Sequence, residues 1–157
     1  MEQPCLLYLI SPPQIDDIAL FSMQLRSAFE AGGGHIGAFQ LRLKERDTTT
    51  DDRLSEYAPD AATIQRVSDV MRPLCQTYGV SFLMNDSAEL AHACGADGVH
   101  LGQEDGAVAK ARAILGEKAV IGVSCHASRH LAMEAGEDGA DYVAFGAFYP
   151  TTSKSLE

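Results

Sequence analysis

Positive charge is scarce in this chain of 157 residues. The sequence carries 12 Lys and Arg against 22 Asp and Glu, which gives a formal net charge of −10 at pH 7. A nucleic-acid-binding protein needs a concentrated basic surface, and docking on anionic lipids needs clustered cations. The composition therefore argues against both kinds of partner. It leaves room for a small anionic substrate, because a few placed cations or a metal ion can reverse the local field.

Long apolar runs, a basic leader and paired cysteines are absent as well. No stretch approaches the about 18 apolar residues that span a membrane. The opening MEQPCLLYLIS has a short apolar run without a basic segment in front of it, which indicates a strand rather than a signal peptide. The 4 cysteines form no C-x-x-C pair and show no zinc-ligand spacing. We therefore expect reduced thiols in a cytoplasmic protein.

Strand-like and helix-like segments alternate along the chain. Compact apolar runs typical of buried strands occupy residues 5–11, 37–45, 80–86, 98–103, 119–126 and 141–150. Helical patterns occupy residues 16–33, 62–79, 87–95, 107–116 and 128–139. This alternation indicates a parallel sheet covered by helices. Two closures remain open, a doubly wound sheet and a (β/α)8 barrel.

Several local signals refine this outline. Pro73 predicts a kink or break in the second helix. Within the polar segment 47–62, residues 48–61 predict an exposed loop, and Ser87 is the expected cap of the third helix. The pattern G-A-D-x-V-x-x-G begins at Gly95 and again at Gly139. A solenoid would need more copies, so we interpret the repeat as two helix-to-strand junctions of one βα series.

Polar side chains follow nearly every predicted strand, and this distribution favours the barrel. They are Gln40, Arg42, Lys44, Asn85, Asp86, Gln103, Asp105, Ser124, His126 and the segment 151–154. A barrel collects its chemistry at the carboxyl ends of many strands. An open sheet concentrates it at one switch point beside a glycine-rich phosphate turn that follows a strand, and no G-x-G-x-x-G follows a predicted strand here. We therefore expect an α/β fold of the TIM-barrel family.

The chain is short for a closed barrel. It carries about six βα units, whereas a (β/α)8 barrel has eight and about 200 residues at the smallest. We expect residues 1–157 to form a single, incomplete barrel domain. Its uncovered edges favour association between copies of the chain.

The strand around residue 40 predicts an anion site. Gln40, Arg42 and Lys44 alternate with apolar residues, so period 2 places all three on one face of the strand. Arg and Lys inside a sealed core would be costly, but at a barrel mouth they suit a polyanion. The alternative is an edge strand with a solvated face.

Two aspartates predict a metal site. Asp86 and Asp105 follow consecutive strands, which are neighbours in a barrel. Two carboxylates held close need a cation between them, and few protein oxygens beside a phosphate suit Mg²⁺. The alternative is that each aspartate caps the helix that follows it.

The remaining candidates are weaker by themselves. Ser124 is expected to point inward and donate a hydrogen bond to a substrate, with Cys125 in the core and His126 in a loop. Adjacent strand residues point in opposite directions, so these residues form no nucleophile–base pair. The histidines His92, His100 and His130 match no metal spacing. The segment 150–154, PTTSK, suits a phosphate or diphosphate, or is a polar turn.

The order of these motifs resembles the thiamine phosphate synthase family from LYLIS onward. The resemblance implies a (β/α)8 barrel and a Mg²⁺-dependent transferase. Such an enzyme joins hydroxymethylpyrimidine diphosphate to thiazole phosphate and releases pyrophosphate, with small molecules as its only expected partners. Pyrophosphate leaves once its charge is neutralised, and the thiazole nitrogen then attacks the pyrimidine methylene carbon.

The resemblance also implies residue roles. The implied contacts to the pyrimidine diphosphate are Gln40, Arg42, Lys44, Asn85 and Lys154. The implied Mg²⁺ ligands are Asp86 and Asp105. The implied hydroxyls at the thiazole phosphate are Thr151 and Ser153, of which Ser153 replaces the family's threonine. Ser124 is implied at the reacting centre, so Ser124 and Lys154 are the expected catalytic residues.

Three rival functions remain. A thiazole tautomerase shares the barrel but does not need the diphosphate and Mg²⁺ residues. A truncated paralogue would bind a thiamine precursor without turnover. A sugar-phosphate epimerase is another phosphate-binding barrel.

Overall fold

The computed structural model describes residues 5–44, 59–146 and 148. Its strands are β1 (Leu7–Ile10), β2 (Ile36–Leu41), β3 (Ser81–Asn85), β4 (Gly98–Leu101), β5 (Val120–Ser124) and β6 (Tyr142–Ala144). Its helices are α1 (Ile18–Gly32), α2 (Ala61–Tyr78), α3 (Ala88–Ala93), α4 (Val108–Leu115) and α5 (Arg129–Glu137). The predicted alternation is confirmed, with each strand shorter than its apolar run. The predicted loop lies mostly outside the described residues, as does the end of the last predicted strand.

The strands form one parallel sheet in chain order, from β1 through to β6. A doubly wound sheet would reverse its strand order at a switch point, so this sequential order confirms the barrel type of winding. The sheet is also curled, because the hydroxyl groups of Tyr8 on β1 and Tyr142 on β6 lie 2.7 Å apart. The result is a partial (β/α) barrel.

The core lies between the outer face of the sheet and the helices. Alternate strand residues such as Phe39, Phe82 and Ile121 are almost completely buried in one apolar cluster with the helices. Phe39 contacts Phe21 of α1, with ring centroids 6.2 Å apart, and lies beside Phe82 at 6.3 Å. The intervening residues of each strand therefore point into the barrel interior.

The prediction that the first strand is buried is wrong. Leu7 and Ile10 of β1 are 58% and 56% exposed. The reason is that β1 is the edge of the sheet and pairs only with β2 in the described structure. Phe145, just after the other edge strand, is also exposed. Apolar residues that a closed barrel would cover thus lie at both edges of the sheet.

Of the predicted kink or break at Pro73, the break does not occur, because α2 continues through that residue. A proline inside a helix costs about 3 kcal/mol. On either side of Pro73, α2 buries apolar side chains, including Val67, Met71 and Leu74. Three such side chains contribute about 1.5–3 kcal/mol each, which outweighs the proline. The helix is closed at one end by Asp60, which accepts from the amides of Ala62 and Thr63.

The repeated G-A-D pattern has a structural explanation. Asp97 donates its amide to the carbonyl of Phe82, and its carboxylate accepts from the Phe82 amide, both at 2.8 Å. Asp141 makes the same pair of contacts with Ile121, at 2.8 and 2.7 Å. Each aspartate therefore continues the strand ladder at the amino end of the sheet. Asp141 also pairs with the Arg112 guanidinium at 2.8 Å.

We predict that Asp141→Ala lowers the free energy of unfolding by about 1–3 kcal/mol at neutral pH, because it leaves a part-buried amide without its acceptor. Burial raises the pKa of the Asp141 carboxyl. The hydrogen bond from the Ile121 amide and the charge of Arg112 lower this pKa by a larger amount, so it lies below its ordinary value of 3.8. This stabilisation is present above the ordinary pKa and disappears as the pH falls through the folded value. Urea unfolding at several pH values measures it.

The matched control is Asp16→Ala, because Asp16 is an exposed aspartate ahead of α1. We expect this change to stay within about 0.5 kcal/mol. Equal losses for the two variants, or a loss at Asp141 that does not decrease as the pH falls below 3.8, would contradict the account.

Candidate active site

The described candidate residues gather at the carboxyl ends of the strands. Gln40 and Asn85 are the last inward-pointing residues of β2 and β3, and Ser124 ends β5. The loop after β4 is tied to β5, since Gln103 Nε2 donates to the Ser124 carbonyl at 2.5 Å. The prediction that these side chains share one end of a barrel is therefore confirmed by their positions in the sheet. Thr151, Ser153 and Lys154 lie outside the described residues.

Hydrogen bonds join one interior side chain from every strand. We call this set the polar chain: Asn85, Gln40, Tyr8, Tyr142, His100 and Ser124. The Gln40 amide links β3 to β1, because its Nε2 donates to Asn85 Oδ1 at 2.5 Å while its Oε1 accepts from the Tyr8 hydroxyl at 3.1 Å.

The other half of the polar chain centres on His100. Its Nδ1 lies 2.9 Å from the Tyr142 hydroxyl, and its Nε2 lies 2.8 Å from Ser124 Oγ. Only 9% of His100 and 3% of Gln40 is exposed. Buried polar groups of this kind are retained only when they are hydrogen-bonded. The polar chain therefore fixes the side chains that form the floor of the site.

The sequence predicted that Gln40, Arg42 and Lys44 all lie on one strand, and this prediction is wrong for the two cationic residues. The strand ends at Leu41, and only Gln40 of the three alternating residues belongs to it. The backbone that follows Leu41 forms hydrogen bonds with the residues that follow β1. The Arg42 amide donates to Ser11 Oγ at 2.9 Å, and the Lys44 amide donates to the Pro13 carbonyl at 2.8 Å.

Lys44 and Asp86 form an ion pair at the rim. The Lys44 Nζ lies 3.2 Å from Asp86 Oδ2, and the two side chains are 12% and 34% exposed. A cation from the β2 end and a carboxylate from the β3 end are thus brought together. This arrangement supports the predicted anion site, because Lys44 is held at the mouth rather than on a solvated outer face.

Neither predicted metal ligand is a helix cap. Ser87 caps α3, as predicted, by accepting from the Leu90 amide at 3.1 Å. The α4 helix has no side-chain cap, and Asp105 accepts from the Gly102 amide at 2.6 Å. Asp86 has φ 66°, a left-handed conformation that is uncommon outside glycine and clusters at functional sites. The capping alternative is therefore wrong for both aspartates.

The donor set at Asp86 and Asp105 suits a hard divalent cation. The two carboxylates follow β3 and β4, which are paired neighbours. Within the described ranges, no group of three or more His, Cys, Asp or Glu residues could hold a metal ion. Mg²⁺ commonly uses one or two carboxylates and keeps water or substrate oxygens for its other positions. Structural zinc, which needs four protein ligands, does not match.

Comparison with known proteins decides the family. A family model described as Thiamine monophosphate synthase matches residues 7–157. The chain belongs to this family. The thiamine-phosphate synthase of Rhodospirillum centenum is 49% identical over 150 residues, which are 96% of this chain and 65% of that protein. The thiamine-phosphate synthase of Hyphomonas neptunium is 49% identical over 148 residues, 94% of this chain and 62% of that protein.

Solved structures agree with this thiamine monophosphate synthase family assignment. The thiamine phosphate pyrophosphorylase of Pyrococcus furiosus matches with a TM-score of 0.71 at 29% identity, covering 95% of this chain and 63% of that chain. A phospho-2-dehydro-3-deoxyheptonate aldolase of Thermotoga maritima matches with a TM-score of 0.55 at 11% identity, which shows the fold alone. The chain thus spans somewhat less than two thirds of the length of these synthase relatives.

Three interior residues of this family member were not among the predicted site residues: Tyr8, His100 and Tyr142. His100 was considered only as a metal ligand, and its spacing excluded that role. The available signal was period 2, because His100 alternates with Val99 and Leu101, which lie in the apolar core. For Tyr8 and Tyr142 no local signal exists, since their contact joins residues at opposite ends of the chain. No helix in the described part of the chain is long and apolar enough to cross a membrane.

The sequence predicted no nucleophile–base pair among Ser124, Cys125 and His126, and His100 was not considered as a partner of Ser124. Ser124 does not pair with its neighbour His126, but it lies within hydrogen-bond distance of His100 on the next strand. In hydrolase triads a carboxylate on the other ring nitrogen stabilises the imidazolium. Here that nitrogen contacts the Tyr142 hydroxyl. A neutral phenol does not supply the negative charge, so we assign Ser124 no nucleophilic role.

We predict that Asp86→Ala is less stable than Asp86→Asn by about 1 kcal/mol. Both variants lose the ion pair with Lys44, but only asparagine tolerates the left-handed backbone well. Urea unfolding of the two variants measures the difference. His126 provides the parallel case, because its φ is 48°, and His126→Asn should likewise exceed His126→Ala in stability. Equal stability within either pair would show that the left-handed conformation is not maintained in solution.

Proposed function

We propose that the chain carries the activity for which its relatives are named, the formation of thiamine phosphate. The observation that carries this proposal is that residues matching the synthase motifs converge at one rim of a partial barrel. Lys44 contacts Asp86 there, and the Gln40 amide contacts Asn85. A tautomerase would not need these cationic and acidic residues.

The substrate contacts follow from charge and position. Arg42, Lys44 and Lys154 are the residues that bind the diphosphate, because their positive charge stabilises the negative charge of the departing pyrophosphate. Gln40 and Asn85 orient the pyrimidine from the floor of the site. Thr151 and Ser153 hold the thiazole phosphate.

Asp86 and Asp105 are the residues that would hold Mg²⁺. Bound there, the ion would supply further positive charge to the diphosphate oxygens. The protein itself supplies orientation, since the polar chain fixes Gln40, Asn85 and Ser124 relative to one another. The C–O bond to the pyrimidine methylene group breaks, the bonding electrons leave with pyrophosphate, and the thiazole nitrogen forms the new C–N bond. No protein nucleophile is needed for this exchange.

The proposal includes the cellular setting and assembly. Three cysteines, Cys75, Cys94 and Cys125, are buried as free thiols, which supports a reducing, cytoplasmic location. Exposed apolar residues at the two sheet edges, such as Leu7 and Phe145, support association of copies of this single, incomplete barrel domain.

We predict that Asp86→Asn and Asp105→Asn each lower thiamine phosphate formation at least 100-fold. The reason is that each removes one of two negative charges from the metal site while keeping the oxygen that accepts hydrogen bonds. The assay incubates the full chain with both substrates and Mg²⁺ and quantifies thiamine phosphate and pyrophosphate. Added Mg²⁺ should partly restore each variant, since the affinity for the ion is what each has lost.

The matched control is Asp69→Asn on the exposed face of α2, where Asp69 accepts from Gln65 at 2.8 Å. This variant should retain wild-type turnover. Substrate binding without product in the wild-type chain would favour a paralogue that only binds a thiamine precursor. Turnover that does not depend on divalent cations would contradict the metal assignment.

A further inference from the structure

The polar chain has a direction, because each hydroxyl group can donate only one proton. Tyr8 donates its hydroxyl proton to Gln40 Oε1. The same Gln40 side chain uses Nε2 to donate to Asn85, so its carbonyl oxygen faces Tyr8. The hydroxyl proton of Tyr8 is therefore used in the hydrogen bond to Gln40 on β2.

The two tyrosines must then be ordered. Their hydroxyl oxygens lie 2.7 Å apart, and one of them has to donate. Since Tyr8 has already used its proton, Tyr142 donates to Tyr8. The Tyr142 oxygen is then an acceptor in its second contact, the one with His100 Nδ1 at 2.9 Å.

His100 transmits this direction to Ser124. A neutral imidazole carries one proton, and its two nitrogens are therefore a donor and an acceptor. With the proton on Nδ1, Nε2 offers a lone pair. The contact between Nε2 and Ser124 Oγ at 2.8 Å then requires the serine hydroxyl to donate.

We infer that the polar chain holds His100 as the Nδ1–H tautomer and thereby turns Ser124 Oγ into a hydrogen-bond acceptor toward the site. His100 is in this sense a positioning residue that acts through Ser124. The expectation that Ser124 donates to a substrate is reversed, because its one proton points at His100. The ligand group that Ser124 selects is then an N–H or O–H donor.

Both phenols remain protonated under the conditions in which such an enzyme works, as the inference requires. Burial raises the pKa of Tyr8, and a hydrogen bond from Tyr142 lowers it in part. Burial also raises the pKa of Tyr142, and its hydrogen bond with Tyr8 raises it further.

The direction of the hydrogen bonds in the polar chain determines which ligand group Ser124 selects. The identity of the ligand rests on the proposed function, under which Ser124 faces the heteroaromatic substrate. The tautomer of His100 does not rest on it. An exocyclic amino group offers the donor that Ser124 accepts, whereas an oxo group in the same position would meet lone pairs. An acceptor left without a donor lowers the affinity, so we expect a discrimination of about 5- to 150-fold.

The test is the tautomeric state of His100 in the full chain without any ligand. Long-range ¹H–¹⁵N spectra of protein labelled with ¹⁵N-histidine distinguish the Nδ1–H tautomer, the Nε2–H tautomer and the imidazolium. His100→Gln identifies the signals of His100. We expect the Nδ1–H tautomer at neutral pH.

The decisive variant is Tyr8→Phe, which lies in the sheet far from His100 along the chain. Without the Tyr8 oxygen, Tyr142 turns its proton toward His100 Nδ1, and the tautomer switches to Nε2–H. The matched control is Tyr78→Phe, because the Tyr78 hydroxyl donates to Glu30 at 2.8 Å on the outer surface. This control should leave His100 unchanged. Tyr142→Phe is a second variant that should also yield Nε2–H.

The wild-type spectrum decides the inference even if a variant fails to fold. An Nε2–H tautomer or an imidazolium in the wild-type chain would overturn it, as would an Nδ1–H tautomer that persists in folded Tyr8→Phe. Because these spectra need no substrate and no metal, they stand whether or not the synthase assay succeeds. Failure of the assay with the Nδ1–H tautomer present would count against the proposed function alone.

Discussion

Hydrogen bonds between interior side chains of six successive strands are the constraint on which this site depends. Helices that cover a sheet bury the apolar residues on its outer face without further requirements. Polar groups inside the barrel, in contrast, must form hydrogen bonds with one another. Gln40 and His100 meet that requirement through partners on neighbouring strands. The contact between Tyr8 and Tyr142 ties β1 to β6. The curvature of the sheet and the orientation of the site residues are thus coupled.

The pattern of the sequence was sufficient for the fold and for the end of the sheet at which the described candidate residues lie. Apolar strands that alternate with helices leave few arrangements for a parallel sheet, and polar residues after several strands indicate a barrel. Period 2 predicts the face of the strand on which each side chain lies, so Gln40, Asn85 and Ser124 were assigned to the interior correctly. The two aspartates were harder, because a carboxylate before a helix is as typical of a cap as of a metal ligand. The structure excludes the cap for both aspartates, because Ser87 caps α3 and α4 has no side-chain cap, and the metal role stays a prediction.

The predictions that failed concern interactions that no local pattern contains. Burial of β1 depends on what pairs with its outer edge. Continuity of α2 through Pro73 depends on the packing of the residues around it, which overrides a local breaking signal. The contact between Tyr8 and Tyr142 depends on closure of the sheet, and the role of His100 depends on that contact in turn. Sequence reasoning assigned His100 by its side-chain type, whereas its partners define what it does.

The central claim is that the rim between β3 and β4 binds a divalent cation together with a diphosphate. The most direct measurement is paramagnetic broadening of backbone amide signals by Mn²⁺ in the presence of pyrophosphate. We predict broadening centred on Asp86 and Asp105, with signals near Asp97 and Asp141 at the opposite end of the sheet unaffected. The rival acidic location is the end of α5, where Glu134, Glu137 and Asp138 line a cavity of about 390 Å³ that Gly102 and Gly106 of the Asp105 loop also line. Broadening centred on α5 with Asp86 unaffected, or spread evenly over the acidic surface, would contradict the account.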